Sequence, residues 1–188
     1  MNLPSLKTCA MRMARSWCVY RLLEGTILSV SLIVLIPVIL GVAAGVPVYQ
    51  VTTLIVSTVV LQAAAAVVGV GLQIHPVLVV VVTTSVAIGV MILILTLCDL
   101  FAEQSKRIQA WLHKIEQKTS DKPYIKRYGP VMLIPIIWIP GISLYGSPFV
   151  AWLLGWKRWK SIICMTIGWI IACIVVLETT LGIVTILR

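Results

Sequence analysis

Residues 25–98 carry no Asp, Glu, Lys or Arg, and His75 is the only titratable side chain in that run apart from Cys98 and Tyr49. A chain of 188 residues has no soluble interior large enough to hide such a stretch, so its solvent is a lipid bilayer. The mean hydropathy of +1.07 and a charged fraction of only 11% agree. Backbone polar groups in hydrocarbon must pair internally, which leaves helices or a closed barrel. The apolar runs are much longer than the roughly 10-residue alternating segments of a barrel. The expected fold is therefore an all-α integral membrane protein with the bilayer as its principal partner.

Four regions follow from the charge pattern: a basic, interfacial N-terminal segment (1–24), three membrane segments (25–98), a charged amphipathic helix (99–127) and two further membrane segments (128–188). The basic residues ahead of position 25 imitate a signal peptide, but the apolar run that follows is too long for one, so it is expected to be retained. Segment one covers residues 25–48 and contains Pro37. Segment two covers 49–72, with Gln62 near its middle. Segment three covers 77–98, after a short polar break at Gln73, His75 and Pro76. Within 99–127, Phe101, Ile108, Trp111, Leu112 and Ile115 recur near helical spacing, the pattern of a cytoplasmic amphipathic helix lying along the membrane surface or against the bundle, with a plain cytoplasmic helical loop as the alternative. Segment four (128–156) is broken by Pro130, Pro135, Pro140 and Pro148. Segment five is 161–187.

Basic loops prefer the cytoplasm. Lys7, Arg12, Arg15 and Arg21 precede segment one, and seven basic residues against four acidic ones fill 99–127. Both regions cannot be cytoplasmic if three segments cross between them. One segment must return to its own side. Pro37 makes segment one the expected re-entrant hairpin, with arms of about 10 residues reaching ~15 Å. The same logic places Lys126–Arg127 and the Trp156-Lys157-Arg158-Trp159-Lys160 cluster on one side, so segment four is expected to re-enter with its tip at 140–143. The expected architecture is three transmembrane helices plus two re-entrant helical hairpins. Five plain transmembrane helices are the alternative.

The second half carries Lys126-Arg127-Tyr128-Gly129, Pro135, Pro140-Gly141, Tyr145-Gly146, Ala151-Trp152-Leu153-Leu154-Gly155, Trp156-Lys157-Arg158 and then Gly168. Over about 106–182 this resembles the small multi-drug export family, which is related to the DedA-like membrane proteins. The resemblance implies two re-entrant hairpins that face each other, and it implies export of amphiphiles or translocation of lipid-like substrates. Three features depart from it. No arginine lies between Tyr128 and Trp156, where DedA-type proteins carry arginines in the second hairpin. Gly141-Ile142-Ser143 stands where a Gly-Thr-Gly-like turn is usual, and the stretch before Pro37 is uncharged where a Glu-Leu-Arg-Gly-like motif is usual.

No HExxH, GxSxG or Walker motif occurs, and the odd set Cys9, Cys18, Cys98, Cys164 and Cys173 contains no CxxC. No enzymatic activity, cofactor, metal or disulfide is expected, and no nucleic-acid partner. Glu178, inside segment five, is a functional candidate and a candidate for proton coupling, because an ionisable group within a span is costly. Gln62 is a candidate for hydrogen bonding in mid-span. Glu24 and Arg21 flank the first expected hairpin. Pro140, Gly141, Ser143, Tyr145 and Gly146 surround the tip of the second. The expected function is transport or export of small amphiphiles or lipid-like molecules, with a homodimer whose contacts include Gly41 and Gly45 as a candidate assembly. A non-transporting membrane scaffold is the alternative. The expected site is a prokaryotic plasma membrane with the N-terminus in the cytoplasm.

Overall fold

The computed structural model describes residues 23–104, 129–137 and 143–186. All regular structure in it is helical. Helix α1 is Leu23–Ala43. Helix α2 has two arms, α2a (Val48–Leu61) and α2b (Ala65–Gly71), joined by a 3-10 turn at Gln62–Ala64. Helix α3 is Pro76–Gln104. A 3-10 turn at Gly129–Met132 leads into the short α4 (Leu133–Ile136), followed by α5 (Ser143–Leu153) and α6 (Arg158–Ile186). By length and composition, four helical stretches are long and apolar enough to cross a membrane: Leu23–Ala43, Val48–Gly71, Pro76–Ala102 and Arg158–Ile183. The expected amphipathic helix over 99–127 lies outside the described residues beyond Gln104; α3 continues through Cys98 as far as that residue.

Helix α3 is the axis of the bundle. Over its most apolar window 56% of residues are buried, against 17% for α1. Val86, Val90, Met91 and Leu95 of α3 meet Val51 and Ile55 of α2a, Leu144 of α5, and Met165 and Trp169 of α6. Helices in lipid gain little from apolar burial against one another, so close packing and hydrogen bonding hold them. Small residues supply the closeness. A Cβ on Gly89 would fall 2.6 Å from Ile33 and 2.9 Å from the Ser29 carbonyl oxygen of α1. Hydroxyls are kept satisfied inside their own helices: Thr58 donates to Leu54 O, Thr83 to Val79 O and Thr166 to Ile162 O, at 2.7 to 2.8 Å.

Segment one does not break at Pro37. The helix passes through it by widening into a π-turn at Ser31–Leu35. There the Ile36 N–H donates to Ser31 O, five residues back. The next donor in that register would be Pro37, which has no N–H. Leu32 O is thus left without a backbone partner, and Ser85 Oγ of α3 donates to it at 2.9 Å. The lost bond is replaced from a neighbouring helix, so the proline needs no hairpin.

The chain reverses instead at Gln62. Its φ of 58° and ψ of −130° are the dihedrals of the first central residue of a type II′ turn, a position that normally takes glycine. Arm α2b packs back beside α2a and against α6. The loop entering α2 (Ala44, Gly45, Val46, Pro47) and the loop leaving it (Leu72, Gln73, Ile74, His75) line one cavity. Both ends of α2 therefore lie at the same end of the bundle, here called the histidine end. The opposite, basic end gathers the start of α1, the end of α3 and the start of α6: Gly25 abuts Thr96, and Arg158 pairs with Asp99.

Three helix ends close with the same cap, in which a left-handed residue donates three residues back and its successor donates five back. Gly45 and Val46 do this at the end of α1, Gln73 and Ile74 at the end of α2b, and Gly155 and Trp156 at the end of α5. The left-handed φ values are 73°, 57° and 63°. Gln73 alone of the three has a side chain, a conformation costing roughly 1 kcal/mol relative to glycine.

Candidate functional site

The broken helix α2 and helix α5 meet from opposite ends of the bundle, at a partly exposed point. Arm α2a arrives from the histidine end and stops at Leu61. The Gln62 N–H still reaches Thr58 O, but the turn then carries the following amides away; the Ala65 N–H points to Ala63 O and Gln62 O. The last carbonyls of α2a lose their helical donors. Helix α5 runs the other way, from Tyr145 beside the end of α2a to Trp152 at the basic end. The Tyr145 hydroxyl donates to Val59 O, one of those freed carbonyls. A half-helix C-terminus carries partial negative charge, and a half-helix N-terminus partial positive charge. Gln62 is half-buried at the tip, and Ala63 packs on the central core beside it. Ala65 and Ala66 are fully buried, which lets the returning arm lie flat against its neighbours. The junction thus offers backbone carbonyls, a phenol and an amide in apolar surroundings, with no formal charge.

A second polar group lies at the basic end. Asp99 accepts from Trp152 Nε1 at 3.0 Å and from Arg158 at 3.2 Å. The same guanidinium donates to Thr96 Oγ1 at 2.7 Å. These bonds tie the ends of α3, α5 and α6 together. Arg158 also separates two cavities. One of about 270 Å³ adjoins Trp152, Trp156 and Ser161. The other, of about 400 Å³, adjoins Glu24, Thr96 and Trp159. Among the described residues, no three His, Cys, Asp or Glu side chains gather as a metal site would require.

The structure brings together some of the residues singled out from sequence. Gln62 and Tyr145 belong to the junction, with Gly146 beside Tyr145 on α5. Ser143 begins α5. Arg21, Pro140 and Gly141 lie outside the described residues. Glu24 stands at the basic end in the cavity with Arg158. Glu178 is on the outer face of α6. Its neighbour Leu177 packs against Ile74 and Val79 at the histidine end, well away from the junction. The Asp99–Arg158 pair was not foreseen. Its only trace in sequence is one acid directly after a long uncharged run and one arginine within the basic cluster that precedes another. Nor did anything in the sequence mark Gln50, Gln73 and His75 as lining a common cavity.

The sequence profile of the small multi-drug export proteins matches residues 62–175. No curated protein and no solved structure matches the chain. The matched stretch starts at the turn residue Gln62 and takes in α2b, α3, α5 and most of α6, including Tyr145 and the Asp99–Arg158 pair. More than half of the sequence lies within it, and on that extent the chain belongs to the small multi-drug export family.

Proposed function

We propose that the protein is a transporter that moves small hydrophobic molecules, among them lipid-like amphiphiles, past the junction of α2 and α5. The observation that carries this reading is the meeting, from opposite ends of the bundle, of the broken helix α2 and the first turn of α5 at Val59 and Tyr145. Interrupted backbone at membrane depth is tolerated where protein or a cavity surrounds it, and half-helix ends are where transporters hold polar substrate groups. The family's name points the same way.

In this scheme α1, α3 and α6 cross the bilayer, while α2 and the α4–α5 region enter and return. Support comes from the charge distribution. Leu23, Asp99 and Lys157–Lys160 then share the cytoplasmic face, so the basic segments 1–24 and 99–127 join the bundle there, as the positive-inside bias requires. The histidine end faces out.

The test is flux of a fluorescent amphiphile from proteoliposomes. Tyr145→Phe removes one hydroxyl, leaves Val59 O unpaired and changes little else. Flux is expected to fall roughly tenfold, the effect of one hydrogen bond of ~1.4 kcal/mol, with the folded protein still recovered. Unchanged flux in that variant would remove the junction from the mechanism.

A further inference from the structure

The largest cavity among those described is not at the junction but at the histidine end, between the two loops that flank α2. Its volume is about 760 Å³, within the range of small-molecule sites. Three polar side chains reach it, Gln50, Gln73 and His75; the rest of the lining is apolar or glycine. No carboxylate, lysine or arginine among the described residues borders it.

Gln73 is the unusual member. Gly45 and Gly155 occupy the equivalent left-handed cap positions at the other two helix ends. The turn at Gln73 has the same hydrogen bonds, and glycine would make them without strain. A strained residue that persists where an unstrained one would serve the fold equally well points to work for its side chain. Here that side chain is an amide, on a residue that lines the cavity. Gln50, on the first turns of α2a, adds a second; its Nε2 donates to Tyr49 Oη at 3.3 Å, leaving the amide oxygen for a ligand.

We infer that this cavity binds an uncharged amphiphile with a hydroxyl- or amide-bearing head, and that Gln73 and Gln50 hold the head while Leu40, Ile74, Leu78 and Val81 hold the tail. An ionised head would find no carboxylate, lysine or arginine to pair with among the described residues of this lining. Two primary amides offer donors and acceptors in pairs, which suits a diol or an amide. The cavity lies at the base of α2, the helix whose break forms the junction. In that respect the inference rests on the transport reading and gives it a substrate class.

The experiment is equilibrium binding of radiolabelled 1-monodecanoylglycerol to the full chain in nanodiscs, with empty nanodiscs subtracted. Unlabelled monodecanoylglycerol is expected to displace it, and decanoate and decyltrimethylammonium to displace it poorly. Gln73→Gly is expected to raise the thermal midpoint of the ligand-free protein and to weaken binding at least fivefold. Gln50→Leu, which leaves the strained cap untouched, is expected to weaken binding as well. Unchanged affinity in both variants would overturn the inference, as would equal competition by the charged analogues. Saturable binding that depends on Gln73, without flux of the same probe in proteoliposomes, would keep this site and contradict transport. Flux that survives Gln73→Gly and Gln50→Leu, with no saturable binding, would do the reverse.

Discussion

Leu32 O shows how one missing N–H is accommodated inside a membrane bundle. Pro37 removes the donor, the π-turn at Ser31–Leu35 displaces the register, and Ser85 Oγ closes the gap at 2.9 Å. Ser85→Ala should therefore cost about 1 kcal/mol, the scale of hydrogen bonds between helices in lipid. Pro37→Ala restores a backbone donor, so adding it should make the loss of Ser85 cheaper. A double-mutant cycle of unfolding in mixed micelles measures that coupling; strict additivity would mean that the hydroxyl and the proline are unrelated. Gly89 lies on the same face of α3. Gly89→Ala places a methyl 2.9 Å from a backbone oxygen that cannot rotate away, and a loss of roughly 1–3 kcal/mol is expected from overpacking. Unfolding equilibria on the single variant check it.

At the scale of the element, the helix that breaks is not the one that carries the proline. Pro37 is a visible breaker, and the sequence reading placed a hairpin there, yet a hydroxyl on another helix was enough to carry α1 through it. Gln62 contains no such signal. It is neither Gly nor Pro, and the neighbouring Ala63–Ala66 run favours helix. Its reversal depends on distant partners: Tyr145 for the freed carbonyl, and α6 for the returning arm. Contacts separated by that much chain leave no local periodicity, whereas long uncharged runs do, so the existence of the helices was legible and their internal break was not. The dihedrals at Gln62 give a direct expectation. Gln62→Gly should retain or raise the thermal midpoint, because glycine occupies φ near 58° without strain. Gln62→Val should lower it by several degrees, because a β-branched residue there is a steric outlier. Equal midpoints for the two variants would mean that the turn does not persist in the membrane.

For the whole molecule, charge and backbone interruption divide the work between the two ends. The basic end is closed by Asp99, Arg158, Trp152 and Thr96. The side chains of that ion pair are 41% and 52% exposed, so its electrostatic share is small; what matters is that it joins α3, α5 and α6. Asp99→Asn should keep an acceptor for Trp152 and cost at most about 1 kcal/mol, readable as a small shift in thermal midpoint. The histidine end is open and built from the two loops around α2, and the cavity there is lined by no carboxylate, lysine or arginine among the described residues. Glu178 is a candidate from sequence because charge in a span is conspicuous. The structure also brings neutral groups together, two glutamines on one cavity's lining and a tyrosine against the broken helix, and neutral groups become conspicuous only once their neighbours are known.

The central claim is that α2 leaves the membrane where it entered. It is tested most directly with single cysteines, Ala44→Cys and His75→Cys, placed before and after α2 in a cysteine-free background, together with Glu24→Cys and Lys160→Cys at the other end. Intact cells would be exposed to a membrane-impermeant thiol reagent. Labelling of positions 44 and 75 from outside, with 24 and 160 labelled only after permeabilisation, is the predicted result. Labelling of 44 and 75 from opposite sides of the membrane would contradict it, because α2 would then be a plain crossing and the junction with Tyr145 would have no re-entrant partner.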